Sequence, residues 1–323
     1  LYLGSVRFFK HLILSVVALF VIVLLILAIS LSAENADLKK QIESLGENVP
    51  TNPNQTTPAV TTGAEPSGQQ TISNSTTTPV ITTQPPPSWP PVPSGEYAEL
   101  FPDLYAENDI SGVEYIEDSN YIYFTFDDGP TNTTLTVLNE LQKYGVKATF
   151  FVVPKESTAH LLKRVHEAGH SIGVHSFSHD YPVIYSSVEA YLADFKLARD
   201  LIYEQTGVKT DFFRFPGGSV NDYNRETRDE IIAEMTRRGF VYFDWTVESG
   251  DIDGASWDRM YGTIRAKVAE NAENGRRSII LFHDTATSGY MTWVIDDLIE
   301  DFQANPNGYV FGQIDGNTRP MQW

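Results

Sequence analysis

Apolar and polar positions along the chain fall into three regimes. Residues 12–31 form one apolar run, broken only by Ser15 and Ser30, and about 20 such residues are enough to cross a bilayer as a helix. Arg7, Lys10 and His11 precede the run, while Glu34 and Asp37 follow it. The positive-inside rule then predicts a signal anchor with its N-terminus inside and the rest of the chain outside. Secretory signal cores are shorter, about 7–15 residues; secretion after cleavage near residues 30–33 is the competing expectation. Leu38, Ile42, Leu45 and Val49 next repeat at heptad-like spacing, which predicts a short helix and a weak homodimer contact through residues 34–49. From residue 50 to 95 the pattern vanishes into Pro, Thr, Ser, Asn and Gln. That composition cannot bury a core and predicts a disordered linker.

The third regime, residues 96–323, alternates two periods. Apolar, β-rich runs predict strands over 121–126, 148–153, 171–174, 211–215, 240–245, 278–282 and 309–314. Between them, helical patterns cover 132–144, 156–168, 187–205, 225–238, 256–273 and 288–303, the first with Leu135, Leu138, Leu141 and Tyr144 on one face. Repeated strand-then-helix units predict an α/β fold with a parallel sheet, and about seven units in roughly 200 residues suit an incomplete (β/α) barrel.

Composition narrows the chemistry. The chain has no cysteine, so a metal would have to rest on His, Asp or Glu. Residues 96–323 hold 19 of the 23 basic and 37 of the 42 acidic side chains. Their net charge of −18 argues against a nucleic-acid partner, which requires basic surface. It tolerates a neutral polymer.

Polar clusters stand at the ends of five predicted strands. Thr125-Phe126-Asp127-Asp128-Gly129-Pro130 puts two carboxylates at a strand end. Neighbouring side chains of an extended chain point in different directions, so one aspartate is expected to hold a metal while the other faces a water. Alone, the stretch reads equally as a turn. His175-Ser176-Phe177-Ser178-His179 follows the strand 171–174; two histidines and one carboxylate leave coordination positions open, as in catalytic metal sites. Arg214-Phe215-Pro216-Gly217-Gly218 offers a guanidinium fork to hold a carboxylate, and glycines whose N–H groups can face an oxyanion. His283 follows the strand 278–282, placed to deliver a proton. Asp244 is a candidate to orient it, and Trp245 with Leu281 a candidate apolar wall. Each cluster alone has an ordinary reading as turn, ion pair, cap or core; five together point to one site.

The ordered motifs Thr-Phe-Asp-Asp-Gly-Pro, His-Ser-x-x-His, Arg-x-Pro, Asp-Trp and Leu-x-His-Asp resemble the polysaccharide deacetylase family (NodB-homology domain, carbohydrate esterase family 4) across about residues 119–314. The resemblance implies a distorted (β/α)7 barrel. It implies Asp127 as catalytic base, Asp128, His175 and His179 as metal ligands, and Arg214 as the residue orienting the base. It further implies Asp244 as partner of the acid His283, the Gly217 N–H as oxyanion donor, and Trp245 and Leu281 as the acetyl-methyl pocket. Two positions depart from the family pattern: Gly217 where tyrosine is common, and Val241 where an aspartate usually opens the Asp-x-x-Asp-Trp motif. The implied cofactor is one divalent ion, zinc first, with cobalt, nickel, manganese or iron as alternatives. The implied activity is removal of N-acetyl groups from a cell-wall glycan, with peptidoglycan N-acetylglucosamine favoured by the exterior tether. N-acetylmuramic acid, chitin oligosaccharides and O-acetyl xylan are the alternatives, and a non-catalytic glycan-binding wall protein is the reading from another class.

Overall fold

Alternation along β1 (Tyr121–Asp127) separates two cores. Ile122, Phe124 and Phe126 join the large core under the helices, while Tyr123 joins Phe151, Phe243, Ile279 and Ile314 in a smaller one. Thr125 and Asp127 share the face of Tyr123 through the two-residue period of a strand. Phe126 stacks between Phe150 and Phe282, with centroids 5.0 and 5.5 Å away. Burying one such ring stabilises the fold by roughly 1.5–3 kcal/mol and pins the strand just before the paired aspartates. This computed structural model describes residues 95–107, 113–116, 118–285 and 290–323. The expected anchor over 12–31, the helix over 34–49 and, apart from Gly95, the linker over 50–95 lie outside the described residues. No helix among those described is long and apolar enough to cross a membrane.

After β1 the chain runs through α1 (Asn132–Tyr144), β2 (Thr149–Val152), α2 (His160–Glu167) and β3 (Ser171–Val174). It continues as α3 (Tyr181–Ile184), α4 (Val188–Thr206), β4 (Phe212–Phe213), α5 (Arg228–Arg237), β5 (Val241–Tyr242) and β6 (Val247–Glu248). It closes with α6 (Trp257–Glu273), β7 (Ser278–His283), α7 (Met291–Ala304) and β8 (Val310–Gly312). Local chemistry sets the helix ends. Thr131 and Thr134 form a reciprocal capping box at the start of α1, and Gly145 ends it in the left-handed region. Ser187 caps α4 through Ala190 N–H.

All strand pairs are parallel, in the order β5-β4-β3-β2-β1-β7-β6. One edge of β1 lies along β7; the other is shared by β8 at residues 121–123 and β2 at residues 125–127. β6 falls outside the expected strands, and β4 and β5 are shorter than expected. Two-residue strands carry no readable alternation.

β5 and β6 stand at opposite edges of this order, yet only Phe243–Thr246 separates them in the chain. Such a link spans at most about 18 Å, so the sheet must curl until its edges nearly meet. The described strands are not bonded across that seam, which makes the barrel incomplete. Residues 319–323 lie along the seam: Asp244 N–H donates to Met321 O at 2.7 Å, and Trp323 N–H donates to Asp244 Oδ2 at 3.0 Å. Arg277, just before β7, reaches the carbonyls of Arg319 and Pro320.

Candidate active site

Inward positions at the C-terminal ends of the strands converge on one mouth. Asp127 and His283 are direct partners in the β1–β7 register, so base and acid candidates share one level of the barrel. His175 follows β3, with its N–H bonded to Val152 O at 3.0 Å. Arg214 follows β4 and points across the interior. Its Nη1 donates to Asp127 Oδ1 and to Thr125 Oγ1, both at 2.8 Å; Nε donates to Phe243 O at 2.9 Å and Nη2 to Asp244 O at 3.2 Å. The guanidinium is fully buried and lies over the Phe151 ring at 4.2 Å. One carboxylate and three neutral oxygens compensate its charge, which is what a buried arginine requires.

The three expected ligands come together. Asp128 Oδ1 lies 3.5 Å from His175 Nε2 and 3.2 Å from His179 Nε2, and one ligand atom from each residue falls within 4.8 Å of the others. Ligand atoms about 2.1 Å from a common ion stand about 3–4 Å apart, and both separations from Asp128 Oδ1 fall in that range. The donor chemistry fits as well. His175 Nδ1 lies 2.9 Å from Arg214 O, and a carbonyl only accepts, so this nitrogen carries the proton. Burial pushes the His175 pKa down to about 3, leaving Nε2 a bare lone pair facing a carboxylate. Asp128 Oδ1 is itself buried without a hydrogen bond among the described residues. A cation between two electron-rich atoms so placed would satisfy both.

The backbone departs from strand geometry where the ligands need it. Asp128 has φ +73° and His179 has φ +56°, the left-handed region that side chains rarely adopt. At Asp128 this breaks the alternation of β1. The two aspartates therefore do not diverge as an extended chain would have them: Asp127 Oδ2 and Asp128 Oδ1 lie 3.7 and 3.5 Å from the same His175 nitrogen. Gly129 is obligatory next to them, since a Cβ there would fall 2.0 Å from Asp284 Oδ2.

The acid's partner differs from the expectation. His283 Nδ1 lies 3.0 Å from Asp251 Oδ1, and His283 N–H donates to Asp251 Oδ2 at 2.7 Å. Asp244 instead accepts from Ser219 N–H, Ser219 Oγ and Trp323 N–H, and so holds the loop after β4 and the seam segment. The reason is topological. Asp244 follows β5, across the unbonded seam from β6 and β7, whereas Asp251 follows β6, the strand paired with β7. Burial pulls the His283 pKa down, but the Asp251 hydrogen bond and the charges of Asp127, Asp251 and Asp128 overcome it, leaving the group up at about 9. Burial raises the Asp127 carboxyl above its ordinary value, opposed by Arg214 and then His283. A base candidate with a raised pKa thus faces an acid candidate that is protonated at neutral pH.

Leu281 is buried one strand period below His283, and Trp245 is half-buried against the small inner core. The Gly217 N–H is bonded to no acceptor among the described residues. Sequence reasoning missed Asp194 on α4, whose carboxylate accepts from Ser176 Oγ at 2.6 Å and from the Phe177 and Ser178 N–H groups at 2.8 Å each. Ser176 Oγ in turn accepts from His179 N–H at 2.9 Å, so one carboxylate fixes the loop between both histidines. It missed Asp251 too, and gave no role to Asp284, the last residue of the fifth motif, whose carboxyl burial raises to about 7. A cavity of about 330 Å³ at the opposite end of the barrel, among Phe212, Val241 and Ile314, belongs to none of this.

Comparison with known proteins agrees with the geometry. The family model for polysaccharide deacetylases matches residues 115–235. YheN of Bacillus subtilis (strain 168), assigned to the polysaccharide deacetylases, is 32% identical over 206 residues, covering 62% of this chain and 69% of its own. A peptidoglycan-N-acetylglucosamine deacetylase of Bacillus cereus (strain ATCC 14579) is 32% identical over 170 residues, 50% of this chain and 59% of the relative. The crystal structure of the catalytic domain of peptidoglycan N-acetylglucosamine deacetylase from Eubacterium rectale ATCC 33656 superposes with a TM-score of 0.60 at 30% identity, over 67% of this chain and 98% of that one. A curled parallel sheet, a three-donor cation pocket at its mouth and these relatives lead to one assignment: the chain belongs to the polysaccharide deacetylase family.

Proposed function

We propose that this chain hydrolyses the N-acetyl group of N-acetylglucosamine units in peptidoglycan, releasing acetate and a free amine. The observation that carries the reading is the pairing of Asp127 and His283 in direct register beside the pocket of Asp128, His175 and His179. Binding alone requires no base–acid pair. Asp128, His175 and His179 would hold a divalent ion, zinc being our choice, which would supply Lewis acidity toward an acyl oxygen and a water. Asp127, aimed by Arg214, takes the proton of the attacking water. The Gly217 N–H donates to the acyl oxygen as it gains charge. His283, kept protonated by Asp251, gives its proton to the departing nitrogen, and Trp245 with Leu281 encloses the acetyl methyl.

Peptidoglycan is favoured because two relatives carry that activity in their names. The apolar run over 12–31 and the Pro/Thr-rich stretch over 50–95 further suit a head tethered outside a membrane, next to the wall. The chain spans 59% of the Bacillus cereus relative, so the substrate belongs to this proposal and not to the family assignment.

The test is acetate release from purified peptidoglycan and from N-acetylglucosamine oligomers, with and without a chelator. Asp127→Asn is expected to lower turnover by about 10²–10⁴-fold, the usual worth of a general base, while cation affinity stays close to that of the parent protein. Unchanged turnover would remove the base assignment. Release from O-acetyl xylan but not from amide substrates would replace the substrate.

A further inference from the structure

The loop that carries Gly217 is clamped from both sides. Tyr185 Oη donates to Pro216 O at 2.7 Å, and Asn221 Nδ2 donates to Pro216 O at 3.2 Å and to Gly218 O at 3.0 Å. Gly217 itself has φ +75°, and its missing side chain is not open space. A Cβ there would lie 2.9 Å from Tyr181 Cε1 and 3.2 Å from Tyr181 Oη. The phenol of Tyr181 occupies the volume that a residue 217 side chain would enter.

The ring is held in place from three directions. Its centroid lies 5.2 Å from the His179 ring, 5.2 Å from Tyr223 and 6.0 Å from Tyr185. Tyr181 and Tyr185 stand one helical turn apart at either end of α3, yet their hydroxyls differ. Tyr185 Oη is spent on the loop carbonyl, whereas Tyr181 Oη is bonded to nothing among the described residues. That hydroxyl lies beside the backbone of the very residue whose N–H faces the acyl oxygen in the reading above. Two donors at about 3 Å from one oxygen stand up to about 6 Å apart, a separation this placement allows.

We propose that Tyr181 is a further catalytic residue, whose hydroxyl donates a second hydrogen bond to the acyl oxygen held by the Gly217 N–H. This rests on the deacetylase reading and deepens it. The device explains why position 217 is bare: any side chain there would displace the phenol. A hydroxyl aimed where charge develops favours the transition state over the bound substrate, so its loss falls on kcat.

The test uses the zinc-loaded protein and an N-acetylglucosamine pentamer. Tyr181→Phe keeps the ring and removes the hydroxyl; it is expected to lower kcat about 10–100-fold, with KM and cation affinity, measured by chelator competition, each within about twofold. Gly217→Ala, which pushes the ring aside, is expected to lower kcat in the same way. Full kcat in Tyr181→Phe, a change confined to KM, or a loss of cation affinity would overturn the proposal by making Tyr181 a wall or a prop. A parent protein that releases no acetate from any glycan would instead overturn the deacetylase reading, and this inference with it.

Discussion

His175 and His283 form a natural experiment within one barrel. Both end or follow a strand at the same mouth, both are largely buried, and both lie beside an aspartate. Burial pulls down the pKa of each, yet one settles at about 3 and the other at about 9. The difference lies in what Nδ1 meets. His175 gives that proton to a neutral carbonyl, which fixes the tautomer without paying for a charge, and its Nε2 stays free to bind an ion. His283 gives it to the Asp251 carboxylate, which stabilises the imidazolium. The same side chain is left with a bare Nε2 or held as an imidazolium according to the partner of its far nitrogen.

The comparison breaks hardest at His175. His175→Gln keeps a neutral polar group of similar length and removes the imidazole; acetate release is expected to fall on the order of 10³-fold, as several kcal/mol of ion-derived stabilisation are lost. Cation affinity, followed by chelator competition, is expected to fall with it. The acid side is sharpened by Asp251→Asn. Without that carboxylate, burial dominates and the His283 pKa falls. The proposed reaction uses the protonated form, so the alkaline limb of kcat/KM, expected near pH 9 in the parent, is expected to move to lower pH, with a loss of about 10–100-fold at neutral pH. A limb that does not move would show that Asp251 does not set the acid. The smallest effect is expected at Asp194→Asn, which leaves the ligands in place but loosens the loop between them. Cation affinity is expected to drop roughly 10-fold, with the alkaline limb unmoved.

Long elements and short ones differed in how far the sequence revealed them. The 13-residue α1 matches its expected span because a capping box, an apolar face and a terminal glycine all mark it. β4, β5 and β6 have two residues each, too few to show a period. The site divides in the same way. Asp127, Asp128, His175, Arg214 and His283 were legible because each closes a recognisable apolar run. Asp251, Asp194 and Tyr181 were not. Asp251 lies in a Ser-Gly-Asp stretch that reads as a turn, and it reaches His283 only because β6 pairs with β7. Asp194 lies mid-helix among ordinary surface charges, and Tyr181 matters through a residue 36 positions away that has no side chain. Asp244 shows the same lesson in reverse, since closing an apolar run of its own did not make it the partner of His283 in space.

The open seam carries a consequence of its own. Arg214 grips Asp127 with one nitrogen while its others hold the carbonyls of Phe243 and Asp244, on the link that joins the two free edges of the sheet. The clasp of the split cylinder and the tiller of the Asp127 carboxylate are therefore one guanidinium. Any breathing of the split is thereby passed to the orientation of the Asp127 carboxylate, the base in the proposed reaction.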